Sequence, residues 1–229
     1  MAFETEQYRQ WLAARLDLLA REKQLTHLRD ELAAERRALP RVPVQDYRFE
    51  SQEGPTALST LFDGSGQLIV YHFMLGPDWE QPCKSCSFWA EHFDGIRVHL
   101  RHRDANLVAV SRAPIEKIAA VRERMGWRFP WVSSLDSSFN YDFGVSFTEE
   151  QQGQPLYNFG TIKAGSGELP GVSVFARDGD ALFHTYSAYA RGLDALNGTY
   201  QWLDLLPRGR DEAGLSYPME WVRLKDSYA

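Results

Sequence analysis

Apolar residues over the first forty positions recur at three-, four- and seven-residue spacings: Trp11, Leu12, Leu16, Leu19, Leu25, Leu28, Leu32 and Leu39. Such spacings put side chains on one stripe of a helix, and Arg, Lys, Glu and Asp fill the remaining positions. The pattern predicts one helix that breaks at Pro40, because proline has no amide hydrogen with which to continue it. That helix either lays its stripe on the main body of the protein or forms an arm through which two copies pair as a homodimer. Pro40 and Pro43 predict a short extended connector. The expected organisation is thus a helical arm over 1–40 and one domain over 41–229.

Beyond the connector the pattern changes. Residues 57–62 read as a short turn or helix, closed by Asp63-Gly64-Ser65-Gly66. Residues 68–75 are continuously apolar and rich in β-branched and aromatic types, which predicts a strand covered on both faces. Gly76-Pro77 ends it. A helix is expected from Cys83 to about Phe93, stopping at Gly95, and a second buried strand over 107–111. Pro114 suits the first turn of a helix over 115–125, and Gly126 suits its C-terminal cap. Residues 129–133 make a third short strand. The order β-α-β-α-β predicts an α/β fold with parallel strands. Two later apolar runs, 171–176 and 181–186, flank Asp178-Gly179, a strong hairpin signal. A last helical stretch is expected from about Leu193 to Leu206.

Composition narrows the function. The chain has 229 residues, 44% of them hydrophobic, enough for a substantial core. Lys and Arg number 25 against 31 Asp and Glu, and the net charge of −6 argues against a nucleic-acid partner. No apolar run reaches the ~18 residues of a membrane span. The first residues lack the basic and then apolar regions of a secretory signal, so the cytoplasm is the expected location. Two cysteines are too few for a disulfide-stapled scaffold, and they sit three positions apart.

Those cysteines form Cys83-Lys84-Ser85-Cys86, which follows a buried strand by a short loop and opens a helix. A C-x-x-C in this context reads as a redox dithiol. At a helix N-terminus the first cysteine meets unpaired amide hydrogens and the positive end of the helix dipole, both of which favour thiolate. Lys84 adds a nearby cation. Cys86, Trp89, Ala90 and Phe93 share one helix face, and the aromatic neighbours make it the buried one. Cys83 is therefore expected at the exposed tip as nucleophile, and Cys86 beneath it as the resolving thiol. A zinc site would need two further ligands from His72, His92, His99 and His102, and their spacing does not supply them. No metal is expected. His72, in the middle of a buried strand, reads as a core histidine. Trp127, Phe129, Trp131, Phe139, Tyr141 and Phe143 read as core aromatics. No glycine-rich nucleotide motif is present, so no cofactor is expected.

At this point the residues resemble a family. The apolar run 68–75 followed by Trp79 and the C-x-x-C resembles thioredoxins, and Phe129-Pro130-Trp131-Val132-Ser133-Ser134 with 139–145 resembles the middle of peroxiredoxins. Residues 71–95, 126–131 and 189–192 are similar to a bacterial thioredoxin-like family described as predicted dithiol–disulfide oxidoreductases. The resemblance implies a thioredoxin-like α/β fold, a central mixed sheet flanked by helices, with an N-terminal helical extension. It matches Cys83 and Cys86 to the dithiol and Pro170 to a cis-proline beside it. With Trp79 and Lys84, Pro170 would contact a protein or small-molecule disulfide or thiol. Read without the resemblance, Pro170 is a trans-proline opening a strand. The implied activity is thiol–disulfide exchange. Two alternatives remain: a thiol-dependent peroxidase with Cys83 as its peroxidatic residue, or a binding or redox-sensing module. Against the peroxidase, Gly76 and Glu80 stand where its signature has proline and a hydroxyl residue.

Overall fold

The structure, a computed structural model, describes residues 5–165 and 167–228. By its internal contacts the chain divides into two compact units, residues up to Pro40 and residues from Arg41. In the first unit the apolar and charged spacing produces a single helix, α1 (Glu6–Ala38). The Thr5 hydroxyl accepts from the Tyr8 amide at 3.2 Å, satisfying one of the unpaired donors of the first turn. Glu6 lies in the first turn and Arg36 and Arg37 in the last, each complementing the helix dipole. The helix stops at Leu39, whose extended backbone is what a residue before proline adopts. None of its described residues is buried. The first four residues of the expected helix lie outside the described residues.

The second unit is built on one sheet. Its described strands are β1 (Val42–Pro43), β2 (Arg48–Ser51), β3 (Gly54–Ala57), β4 (Gln67–His72), β5 (Ala105–Ser111), β6 (Trp131–Ser133), β7 (Gly171–Asp178) and β8 (Ala181–Tyr189). Their order across the sheet is β1-β8-β7-β4-β5-β6-β2-β3. The expected parallel strands β4, β5 and β6 sit together, with Tyr71 beside Ala109 and Ala109 beside Trp131. The hairpin β7–β8 joins antiparallel to β4, and Asp178 pairs with Ala181 around Gly179 and Asp180. The sheet is therefore mixed. β2 and β3 form a hairpin that the pattern did not signal, because Glu50, Ser51 and Pro55 interrupt any apolar alternation. Pro43 sits on the edge strand β1, where its missing donor costs no ladder bond.

Alternation along β4 divides the core in two. Leu68 and Val70 face one cluster, with Phe139, Phe175 and the short helix α2 (Leu58–Leu61). Tyr71 and Phe73 face the other, with Trp127, Phe129, Trp131 and the helices α3 (Lys84–Ala90) and α5 (Ile115–Met125). The expected core aromatics are thus split between the faces by period-two geometry. Tyr141 is the exception: it is exposed, with the Arg112 guanidinium 4.6 Å from its ring centroid. On β4, His72 is buried, donates to or accepts from Ser173 Oγ at 2.8 Å, and stacks on Phe139 and Phe143. Burial, and to a lesser extent His184, pushes its pKa down to about 3, so it is a neutral core histidine.

Two helix boundaries differ from the sequence pattern. α3 ends at Ala90, and a separate helix, α4 (Phe93–Arg101), runs through Gly95. The break falls at Glu91 and His92 because tertiary partners hold both: Glu91 accepts from Trp127 Nε1 at 3.0 Å, and His92 bonds Thr199 Oγ1 at 3.0 Å. The expected helix over 193–206 is a 3-10 stretch over Ala190–Leu196 followed by a short helix spanning Gly198–Leu203, capped by the Asn197 side chain. α5 and its cap match expectation. Gly126 closes it at φ 65°, a left-handed conformation, with nothing within 4 Å of where a Cβ would stand. Gly126→Ala is therefore expected to cost about 1 kcal/mol through backbone strain alone. Urea denaturation would measure it, and an unchanged midpoint would contradict it.

Candidate active site

The dithiol sits beyond the C-terminal end of β4, the end at which open α/β sheets bind ligands. Phe73 still donates to Val110 O at 2.9 Å, but after it the chain leaves the sheet. Met74 then serves both cysteines: its carbonyl accepts from the Cys83 amide at 3.2 Å, and its amide donates to Cys86 Sγ at 3.4 Å. Cys83 is the N-cap of α3, and its sulfur accepts from the Cys86 amide at 3.5 Å. Cys86 lies one turn into the helix and is 1% exposed, beside Trp89, Ala90 and Phe93 as the spacing predicted. Cys83 is half-buried, not at a fully exposed tip, because it packs against the core cluster that holds Cys86 and Trp89.

The two thiols ionise in opposite senses. The Cys86 thiol, against burial, lowers Cys83 to about 7, and the Cys86 and Ser85 amides and the Ser85 hydroxyl add to this. Burial pushes Cys86 well up, and the charge on Cys83 pushes it further. Lys84 contributes differently from expectation. Its ammonium donates to the carbonyl of Glu220 at 2.8 Å and lies 5.7 Å from the Tyr217 ring centroid, so it ties α3 to the C-terminal segment. Lys84→Ala is accordingly expected to leave the pH midpoint of Cys83 alkylation unmoved. A rise of a full unit would restore the lysine to the electrostatic role first expected of it.

A family model described as "Bacterial protein of unknown function (DUF899)" matches residues 1–228. The chain belongs to that family. No curated protein sequence matches this family member. Among solved structures it is similar to the peroxidoxin BcpB from Mycobacterium tuberculosis, with TM-score 0.50 and 19% identity over 70% of this chain and 95% of that one. It is also similar to peroxiredoxin Q from Xanthomonas campestris, with TM-score 0.46 and 18% identity over 66% of this chain and 87% of that one. At such identities the first likeness establishes a fold: the family member has a thioredoxin-like α/β fold, a mixed sheet flanked by helices, with an N-terminal helix.

Pro170 lies in the strand entry opposite α3, and together with Cys86, Tyr71 and Trp89 it lines a cavity of about 660 Å³. The Leu169–Pro170 peptide is trans, since no described peptide bond is cis. This corrects the resemblance and agrees with the simpler reading of a proline opening a strand, where trans is the ground state and no donor is required. Trp79 is not brought to the cavity. Its indole packs over Gly76, where a Cβ would stand 2.8 Å from the ring, and its carbonyl accepts from Lys117 Nζ at 3.0 Å.

Sequence reasoning missed two groups at the site. Tyr71, placed on the α3 side by strand alternation, lines the cavity together with Cys86 and packs in the same core cluster. Burial first, and Cys86 second, push the Tyr71 pKa well up, so its hydroxyl stays protonated and can donate to sulfur. A tyrosine on the Cys86-facing side of the strand, next to His72, was the available signal. The second group is the C-terminal segment, where Arg210, Glu212 and Met219 reach the cavity from more than 120 positions away. No local pattern marks them.

Proposed function

We propose that this protein is a cytoplasmic thiol–disulfide oxidoreductase in which Cys83 attacks and Cys86 resolves. The observation that carries the reading is the placement of the pair: Cys83 caps α3 and accepts from the Cys86 amide at 3.5 Å, while Cys86 is buried one turn into the helix. That arrangement lowers the Cys83 pKa to about 7 and raises that of Cys86. A thiolate attacks a disulfide and a thiol does not, so at neutral pH Cys83 is the reactive sulfur. Its attack breaks the substrate S–S bond, leaves a mixed disulfide on Cys83 and expels one thiolate, which takes a proton from solvent. Cys86 then loses its proton and attacks the Cys83 sulfur. That step releases the second half of the substrate and leaves the protein oxidised. Tyr71 supports the second step by donating to the Cys86 sulfur as it becomes anionic.

Alkylation by iodoacetamide, read by mass spectrometry from about pH 5 to about pH 9, tests the assignment. Cys83 is expected to label with a midpoint near 7. Below the midpoint the thiolate is protonated, so the rate falls about tenfold per pH unit as pH drops. Cys86 is expected to label only at distinctly higher pH. Labelling of Cys86 first, or of both together near the ordinary thiol value of about 8.5, would overturn the assignment.

A further inference from the structure

The cavity beside the dithiol opens on Cys86, and its walls define what can enter. Its apolar surface comes from Tyr71, Met74, Trp89, Leu193 and Met219. Rings and thioethers in this proportion favour a flat aromatic guest. The charged groups in the wall are held by protein partners. Arg210 forks onto Asp194 at 3.0 and 3.1 Å and onto Asp204 at 2.7 and 2.8 Å, with its guanidinium 3.9 Å from the Tyr200 ring centroid. Glu212 accepts from Tyr200 Oη at 2.7 Å, Trp221 Nε1 at 2.8 Å and the Met219 amide at 2.9 Å. Arg191, at the rim, pairs with Asp194 at 3.3 Å. Two cations face three carboxylates along this wall, so an anionic ligand meets a net negative field.

The C-terminal segment is tied to α3: Lys84 holds the Glu220 carbonyl, and Trp221 packs edge-on against Phe88 with ring centroids 5.5 Å apart. Pro218 and Met219 of this segment line the cavity. The volume of about 660 Å³ falls within the ~300–1,000 Å³ of small-molecule sites.

The cavity reaches the dithiol through Ser85 and Cys86, and Cys83 Sγ lies 3.5 Å from the Cys86 amide, just outside the lining. We propose that the cavity is the substrate subsite for an uncharged aromatic disulfide of low molecular weight. The proposal rests on the oxidoreductase reading above. The Cys83 thiolate attacks one substrate sulfur, and the aromatic thiolate expelled leaves with the S–S electron pair and is protonated by solvent. Cys86 then displaces the second aromatic thiolate from Cys83. The substrate gains two electrons, the dithiol becomes a disulfide, and an external low-molecular-weight thiol restores it.

Two probes separate this proposal from the reading beneath it. Dipyridylethane is the unreactive carbon isostere of dithiodipyridine, and at mildly alkaline pH both are uncharged. Calorimetry on the reduced protein is expected to detect dipyridylethane binding. Met219→Asp, which adds a charge to the cavity wall, is expected to weaken that binding at least about tenfold. Leu193→Phe fills the cavity without charge and is expected to do the same, with circular dichroism confirming the fold of both. Reduction of dithiodipyridine, each rate divided by that of dithiothreitol, is expected to exceed that of the anionic oxidised glutathione at least about tenfold. Absence of dipyridylethane binding, or equal normalised rates for the two disulfides, overturns the subsite. Binding with dithiodipyridine reduced no faster than by dithiothreitol keeps the cavity as a ligand site but overturns the oxidoreductase reading and the substrate role together.

Discussion

Cys83→Ser is expected to abolish disulfide reduction, lowering the rate at neutral pH by at least about a hundredfold, to that of uncatalysed exchange. Serine keeps the shape of the N-cap and can still accept the Cys86 amide, so the fold should be unaffected while the reactive sulfur is gone. Cys86→Ser has a different expected outcome. The first attack still occurs, and the mixed disulfide on Cys83 persists because nothing resolves it, so mass spectrometry should find substrate covalently attached. Cys86→Ala separates a further effect. The Cys86 thiol is the leading cause that lowers Cys83, so its removal should move Cys83 from about 7 back toward the ordinary thiol value. At pH 7 that reduces the thiolate fraction by up to about fifteenfold. Unchanged turnover in Cys83→Ser would sink the mechanism outright. Unchanged alkylation in Cys86→Ala would show that the helix amides alone set the ionisation.

The largest stability effect is expected at Glu168, two residues before Pro170. Its side chain is almost fully buried, pairs with Arg112 Nη1 at 3.2 Å and accepts from Ser146 Oγ at 2.7 Å. Burial outweighs Ser146 and Arg112 and pushes the Glu168 carboxyl up, so the attraction does not fully offset the desolvation of the pair. Removing one partner is nonetheless costly, because it leaves the half-buried Arg112 without its counter-charge and the buried Ser146 hydroxyl without its acceptor. Glu168→Ala is expected to cost about 3 kcal/mol in urea denaturation. The double variant Arg112→Met, Glu168→Leu should recover much of that loss, since no orphaned charge remains. A single variant within about 0.5 kcal/mol of the parent would contradict this account, as would a double variant more damaged than the single.

Much of the site was legible because its signals are local. The C-x-x-C spacing, its position after a buried strand, and the Trp89–Phe93 face that buries Cys86 all lie within one strand-loop-helix unit. Elements with strong periodicity or punctuation were legible for the same reason: α5 runs from Pro114 to Gly126, and the hairpin turns at Gly179. Where the reading and the structure part, a distant partner had outvoted the local preference. Glu91 and His92 split a helix that Gly95 was expected to end, and Lys84 turned from Cys83 to Glu220. Trp79 packed over Gly76 rather than joining the cavity.

The sequence by itself determined that the two sulfurs are unequal, since a helix N-terminus and one turn of spacing are enough to set them apart. Only the tertiary structure decided what those sulfurs face. Tyr71 joins Cys86 at the cavity through the register of a buried strand, Pro170 arrives at the start of an antiparallel neighbour as a trans residue, and Arg210, Glu212 and Met219 come from the far end of the chain. Ionisation follows from groups within a few bonds of the thiol, whereas a cavity exists only once distant segments have packed against one another.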